Sequence, residues 1–563
     1  MTMGDERFRL ISETVGALPV VNHFLSRLRV DEMLSRHLPP SASLPVPKDC
    51  LLVLLKNLVL GRAPIYGLGE WAAPFRPSLL GLTVPQVERL NDDRVGRALD
   101  HLFDSDRASM LTEVVVRAIR EFGLEMDEFH NDSTSISFSG QHADARGGTR
   151  RGRPTLRIVH GHNKDHRPDL KQLLWILTVT ADGAVPVHYR ACDGNTTDSP
   201  THRQTWDAIR ALLGRSGFLY VADCKLCTEG NLTYIDSQRG RFITVLPRSC
   251  NEDKWFRKYI QDHVLPWEEV ERVPNPRILD GPPDVWRMVE SPMPSTEGFR
   301  IVWVWSSQKA ELDRVTREAL IEKAVLAVEQ LETRLQNPRT RMRTYDAVVR
   351  GVVRAIGKKA ARWVTYEILE EKKRSFKQER RGRPGKGTRY RKSERVRFHV
   401  SRILITENIK FDARTDGMFP LITNCNEMPR KGLLAAYKYQ PRLEKRHEQL
   451  KTVYAIAPVL LKSVTRIEGL LFLYFLAMLV QALIEREARL GMERAGIASI
   501  SLYPEERDCE APTTARLLEV LGRLQVHHLW DGEKIIRTFP PDLMRLQKEV
   551  LVLTGTPNRE YIS

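Results

Sequence analysis

Cysteine is scarce and unpatterned, seven in 563 residues. An odd number scattered over so long a chain excludes a disulfide framework and points to a reducing compartment. Cys224-x2-Cys227 has no second pair at zinc-ribbon spacing, so two small residues in a turn is a simpler reading than a metal or redox site. Long apolar runs are also missing, with one near exception. Residues 469–484 (GLLFLYFLAMLVQALI) fall short of the ~20 apolar residues a bilayer span needs. They contain Gln481 and are bracketed by Arg466 and Glu468 before and Glu485, Arg486 and Glu487 after. A core helix buried against a sheet is expected there, with no membrane association. The opening MTMGDERFRL has early acidic residues and no apolar core of signal-peptide length, so a cytoplasmic location is expected. Acid is short relative to base, 71 Asp and Glu against 87 Lys and Arg, a net charge of +16. Such a surplus suits a polyanion, most commonly nucleic acid.

What is present divides into about three to five modules by length. Residues 1–120 read as helical throughout, over 20–38, 48–60, 66–71, 91–102 and 105–122, with Asn91 and Asp106 as caps and prolines in the loops. This module suits either a helix-turn-helix reader of duplex DNA or a helical packing domain. From residue 121 to 248 the pattern turns to strands. The run 171–181 (KQLLWILTVTA), the turn dipeptide Asp182-Gly183 and the run 185–191 form a hairpin signal. A helix over 201–213, a strand over 217–223 (GFLYVAD), a short helix capped by Thr228 and a strand over 241–246 complete a mixed sheet flanked by helices.

Residues 249–395 interrupt this core with a large α+β insertion. It holds Trp255, Trp267, Trp286, Trp303 and Trp305, a strand over 300–305, and two amphipathic helices over 308–336 and 345–372. A basic stretch follows, 371–397, with thirteen Lys and Arg against three Glu. Its Gly and Pro prevent a steady helix, and its Arg density with Phe376 and Tyr390 favours a loop gripping a nucleic-acid backbone through Arg381, Arg383 and Lys386. The core is expected to resume over 396–490, with strands at 396–405 and 418–423 and a helix within 437–454. A helical tail occupies 491–563.

The chemistry centres on residues 125–140 (EMDEFHNDSTSISFSG). Ile136 and Phe138 alternate with Ser135, Ser137 and Ser139, the period of a half-buried strand, which places Asp132 on one face with Thr134, Ile136 and Phe138. Asp223 closes a buried strand downstream, where working groups of such sheets collect, and a Glu lies on a later helix. Carboxylates gathered in this way suit Mg2+ or Mn2+, and two such ions ~4 Å apart can activate an attacking oxygen and stabilise a leaving one in phosphodiester chemistry. His160, His162 and His166 lie near Asp165, but Lys164, Arg167 and the Arg-rich 150–153 crowd them. A DNA-facing loop carrying His162 and Lys164 is therefore preferred to a zinc site.

Three segments carry a resemblance: Asn131-Asp132-Ser133-Thr134, Tyr220-Val221-Ala222-Asp223, and Tyr437-x2-Gln440-x3-Glu444-x6-Lys451. In order and on these elements they resemble the motifs of DDE insertion-sequence transposases, whose catalytic core is RNase H-like. The third is similar to that family's Y-(2)-R-(3)-E-(6)-K signature. Further agreement comes from 161–175, DGNTTDS at 193–199 and DGMFPLITN at 416–424. The resemblance implies that Asp132, Asp223 and Glu444 ligate two Mg2+ ions, with Mn2+ able to substitute. It also implies that Tyr437, Gln440 and Lys451 contact DNA, and that a homodimer pairs two terminal inverted repeats before joining them to target duplex in a nucleoid-associated, prokaryotic cytosolic setting. The six-residue gap to Lys451 selects Glu444 over Glu448. Gln440 departs from the signature, because Arg would grip phosphate as a charged fork whereas Gln offers neutral hydrogen bonds. Pro441 suits only a first helical turn and so starts the Glu444 helix nearby. The rival readings are a nuclease without strand transfer and a non-catalytic DNA-binding derivative.

Overall fold

The computed structural model describes residues 8–61, 63–274, 281–453, 461–503, 505 and 507–562. Residues 1–7, and Tyr454 at the end of the expected 437–454 helix, lie outside the described residues. The chain forms two compact units, one of Met1–Thr244 with Gly432–Ser563 and one of Val245–Lys431.

In the first unit the strands Pro186–Asp193, Lys171–Thr180, Glu128–Phe138, Leu219–Ala222 and Arg241–Val245 lie side by side in that order. The first two joins are antiparallel and the last two parallel, so the sheet is mixed. The hairpin forms as the Asp182-Gly183 pair requires, with Gly183 at φ 78° and Ala184 at φ 51°. Helices Thr201–Leu213 and Glu229–Ser237 fill the crossovers, the second capped by Thr228 accepting from the Asn231 amide. Glu128–Phe138 is buried on both faces along most of its length, where alternation with serine had suggested only one.

The apolar run lies within a 32-residue helix, Val464–Ala495. By length and composition it could cross a membrane, yet its apolar stretch is wholly buried in protein. It packs on helices Pro47–Leu60 and Asp92–Asp104 and on strand Pro186–Asp193. Gly469 permits the approach, since a Cβ there would stand 2.8 Å from the Leu99 carbonyl oxygen.

The amino-terminal region departs from the all-helical expectation. Phe8–Thr14 is a strand, paired with Gln525–Asp531, which in turn pairs with Lys534–Phe539. The expected helical tail over 491–563 is corrected accordingly: Gly532-Glu533 makes the two-residue hairpin turn, with Gly532 at φ 58°. Among the helices of this region, Lys56 is buried with its ammonium donating to the carbonyls of Leu79 (2.9 Å) and Leu80 (3.1 Å). Burial pushes it down to about 8. The unfolded chain then binds more protons between that value and the ordinary lysine range near 10.4, so stability climbs with pH across that window. Urea unfolding from neutral pH to about pH 10 is expected to show a gain of at most about 3 kcal/mol in the wild type that Lys56→Met lacks.

The second unit is Val245–Lys431. In it strands Met418–Thr423, Arg300–Ser306, Asp284–Glu290 and Glu268–Val273 lie side by side in that order, every join antiparallel. Met418–Thr423, a strand as expected, lies within the residues of this unit. Phe256 stacks on Trp303 at 4.0 Å. Helix Ser307–Gln336 is as expected, but its partner Tyr345–Ala360 stops well before residue 372, because the β-branched Val364 and Thr365 open a strand.

That strand corrects the basic loop. Val364–Gln378 and Tyr390–Leu404 pair along their whole length as one antiparallel ribbon. Its base is apolar, with Val364, Phe398 and Val400 packed against Val328, Leu331, Val348 and Val352 of the helical pair. Its outer half is exposed and basic. Pairing sorts the charges: Lys373 opposes Arg395, Ser375 opposes Ser393 and Lys377 opposes Arg391, so four cations and two hydroxyls share one face. None of the four has a carboxylate within ion-pair distance among the described residues. Arg381, Arg383 and Lys386 lie in the exposed turn at the tip.

Candidate active site

The parallel ladder between Glu128–Phe138 and Leu219–Ala222 ends with Asn131 opposite Ala222. Asp132 and Asp223, one residue further on each strand, thus stand side by side on chains ~4.8 Å apart. Beyond Ala222 the chain turns, and the Lys225 amide donates to Asp223 Oδ1 at 3.0 Å while Cys227 and Cys224 close the bend. All seven cysteines are free. The Ser133 amide donates to Asp132 Oδ1 at 2.7 Å. Below this pair a buried network fixes the strand ends: Thr178 Oγ1 donates to Asn131 Oδ1, and His202 meets both Asn131 and Tyr220. Burial pushes His202 down to about 4, so this support is neutral.

The serines that alternate with Ile136 and Phe138 hold a loop. Ser137 Oγ accepts from Asn163 Nδ2 (2.9 Å), Ser135 Oγ from the Lys164 amide (3.2 Å), and Ser133 Oγ and O from Lys164 Nζ (2.7 and 2.6 Å). This loop covers the serine face and brings the Lys164 ammonium 3.1 Å from Asp198 Oδ2 and 3.8 Å from Asp132 Oδ1. Asn163 Oδ1 accepts the amides of Asp165 and Arg167 and so shapes the loop.

Glu444 arrives on helix Gln440–Glu448, whose first turn holds Pro441 as its ring requires. Tyr437 lies on the preceding helix, Arg430–Lys438. Gln440, Glu444 and His447 recur at four and three residues, one helix face. At one end of that face Gln440 Nε2 donates to the Asn131 carbonyl (3.2 Å) and Oε1 lies 3.1 Å from His130 Nδ1. At the other, His447 Nε2 is 3.7 Å from Asp132 Oδ2. Glu444, between them, faces the same stretch of strand. On the far side Arg446 donates to the carbonyls of Ala184 and Gly183, and the Ala184 amide to the Tyr439 hydroxyl, clamping the helix to the hairpin turn.

Electrostatically the three acids form one group. Burial raises the Asp132 carboxyl above its ordinary value, opposed by Lys164 and reinforced by Asp198. Burial and the Asp132 charge raise Asp223 and Glu444. Burial and the neighbouring Glu444 raise the Tyr437 phenol. His447, buried beside Lys164 and Lys451, is pushed down to about 3 and is neutral.

Asp132 and Asp223 stand at neighbouring strand ends, the charge of Asp132 is felt by Glu444, and that of Glu444 by Tyr437. Gln440 and Lys164, expected at a DNA surface, direct their polar atoms into the protein: Gln440 docks the Glu444 helix, and Lys164 neutralises Asp132 and Asp198. Lys451 lies in a π-helical turn, Gln449–Val453, and pairs with Asp165 at 2.5 Å. His162 is exposed on the same loop. Arg381, Arg383 and Lys386 belong to the other unit. Sequence reasoning missed Asp198 and His447. A histidine one turn beyond Glu444 on its own face was a usable signal, and Asp198 lies in the DGNTTDS segment quoted for its resemblance, where it was given no role.

The donor set fits a hard divalent cation, being all carboxylate oxygen. Among the described residues no three acidic, histidine or cysteine side chains form a closed metal cage. Asp132, Asp223 and Glu444 would have to draw together around the ion.

A family model described as "Domain of unknown function (DUF4277)" matches residues 10–116. No curated protein matches the sequence. Among solved structures, a piggyBac transposase synaptic complex with hairpin DNA is similar at 8% identity and a TM-score of 0.39, over 89% of this chain and 79% of that one. The Mos1 mariner paired end complex with Mn is similar at 11% identity and a TM-score of 0.14, over 43% and 72%. Both likenesses are too remote to assign a function.

Proposed function

We propose that the protein is a DDE-type transposase with an RNase H-like core, cutting DNA at the ends of its element and joining the freed 3′ hydroxyl to target DNA. The observation that supports this reading most is that Asp132 and Asp223 follow adjacent parallel strands of a mixed sheet, with the helix that carries Glu444 docked on the same strand end through Gln440. The three carboxylates would hold Mg2+ or Mn2+, which supplies charge stabilisation at the attacking and leaving oxygens. The chain's own part is positional. Gln440 docks the Glu444 helix on the Asn131 carbonyl, and Lys164 balances the acids. By the family resemblance two copies would pair two ends.

The test is incubation of the full chain with Mg2+ and DNA carrying the repeats that bracket its reading frame. Nicks at the repeat ends and joined products in a plasmid assay are expected. Nicks without joined products would make the protein a nuclease, and neither would make it a DNA-binding derivative.

The ribbon suits the same substrate. Its two cation pairs lie four residues apart along the strand, ~13 Å, close to the ~12 Å width of a major groove. Replacing Lys373, Lys377, Arg391 and Arg395 by Ala is expected to lower duplex affinity and flatten the slope of log affinity against log salt by about 3 to 4. An unchanged slope in a binding titration would remove the ribbon from the interface.

A further inference from the structure

Behind the Glu444 helix, on the face opposite Glu444, lies a cavity of about 570 Å3 lined by Gly183, Ala184, Arg442, Lys445, Arg446 and Arg489, with Glu448 and Glu485 at its wall. Four cations face two acids. Arg446 is satisfied: it pairs with Glu485 at 2.8 Å and donates to two carbonyls. The others are not. Arg489 reaches the same Glu485 only at 3.8 Å and gives one Nη2 bond to the Pro512 carbonyl, and its Nε–H is buried with no acceptor among the described residues. Arg442 lies over the Tyr439 ring at 4.9 Å. Neither Arg442 nor Lys445 has a carboxylate within ion-pair distance among the described residues.

Two other buried arginines are paired with carboxylates. Arg486, on the same helix as Arg489, pairs with Asp182 at 2.6 Å and Glu487 at 2.9 Å and donates to the Phe122 carbonyl. Arg317 pairs with Asp416 at 2.5 Å. A guanidinium N–H left buried without an acceptor is costly and uncommon. Burial, and the like charges of Arg446 and Arg442, hold Arg489 below the usual arginine range although Glu485 opposes them.

We propose that this cavity is a binding site for a phosphate group. A phosphate oxygen placed there accepts the orphaned Arg489 Nε–H, and the flanking Arg442 and Lys445 complete a charge-assisted set. The phosphate comes either free in solution or on a nucleic-acid backbone. The site stands apart from the three carboxylates and does not depend on their catalytic reading. Its position on the back of the helix that carries Glu444 means that an occupant braces that helix.

The test is thermal unfolding of the full chain in inorganic phosphate against chloride at equal ionic strength. Phosphate is expected to raise the wild-type midpoint beyond chloride, and Arg489→Gln to abolish the difference. Should Arg489→Gln fail to fold, Arg442→Gln and Lys445→Gln, both exposed, are each expected to raise the phosphate concentration giving half the effect by about tenfold, the loss of one charge-assisted contact. Binding of a short duplex then separates the sources. If the occupant is a backbone phosphate, Lys445→Gln weakens duplex binding, lowers the salt slope by about 0.9, and inorganic phosphate competes. If it is free phosphate, duplex affinity is untouched while the phosphate response falls. A wild-type midpoint no higher in phosphate than in chloride, or Arg442→Gln and Lys445→Gln responding as wild type, overturns the site.

Discussion

Asp132→Asn is expected to slow metal-dependent strand cleavage by ~1000-fold or more, about 4 kcal/mol of lost transition-state stabilisation, while duplex affinity stays equal or rises slightly. The two effects separate because the carboxylate has two consequences. As a cation ligand it serves the reaction, and as a buried negative charge near phosphate it opposes binding. Asp132 is also the hub of the acidic group, since its charge raises both Asp223 and Glu444. The isosteric amide keeps the bond from the Ser133 amide, so the fold is retained. Single-turnover cleavage and equilibrium binding on the same DNA check the split. A variant that cuts within a few fold of wild type would remove Asp132 from the chemistry.

Lys164→Met is expected to destabilise the metal-free protein by about 2 kcal/mol, less than a fully buried pair would lose because the lysine is partly exposed. The ammonium bonds Ser133 through two oxygens and pairs with Asp198, with Asp132 close by. Removing it leaves two carboxylates facing each other in a poorly solvated place. Two restorations are expected: Mg2+ recovers part of the loss, and Asp198→Asn in the same chain recovers part of it without metal. Urea unfolding of the single and double variants gives the coupling. A Lys164→Met variant within about 0.5 kcal/mol of wild type, with no response to Mg2+, would show that the lysine is not the counter-charge of this site.

Much of the core could be read from the chain because its signals are local. The hairpin at Asp182-Gly183, the helix after Pro200, the Thr228 cap and the Pro441 helix start are each set by residues within a few positions of one another. The departures come from pairings that join distant residues. Phe8–Thr14 finds its strand partner more than 500 residues later, and nothing local in FRLISET says so. The basic ribbon hides its strand character behind Lys and Arg, which lack strand propensity; it exists because Val364, Phe398 and Val400 anchor its base on two helices. Alternation with serine was read as solvent on one side, whereas those hydroxyls seat the Asn163–Lys164 loop. Type and order singled out the three acids. Asp198 was given no role, because its neighbours in space, Lys164 and Asp132, are distant in sequence.

The most direct measurement is the anomalous signal of Mn2+ in crystals of the full chain bound to end DNA. Peaks ~2.2 Å from carboxylate oxygens of Asp132, Asp223 and Glu444 together are predicted. Manganese bound elsewhere, with Glu444 more than ~10 Å from the two aspartates, would contradict the account.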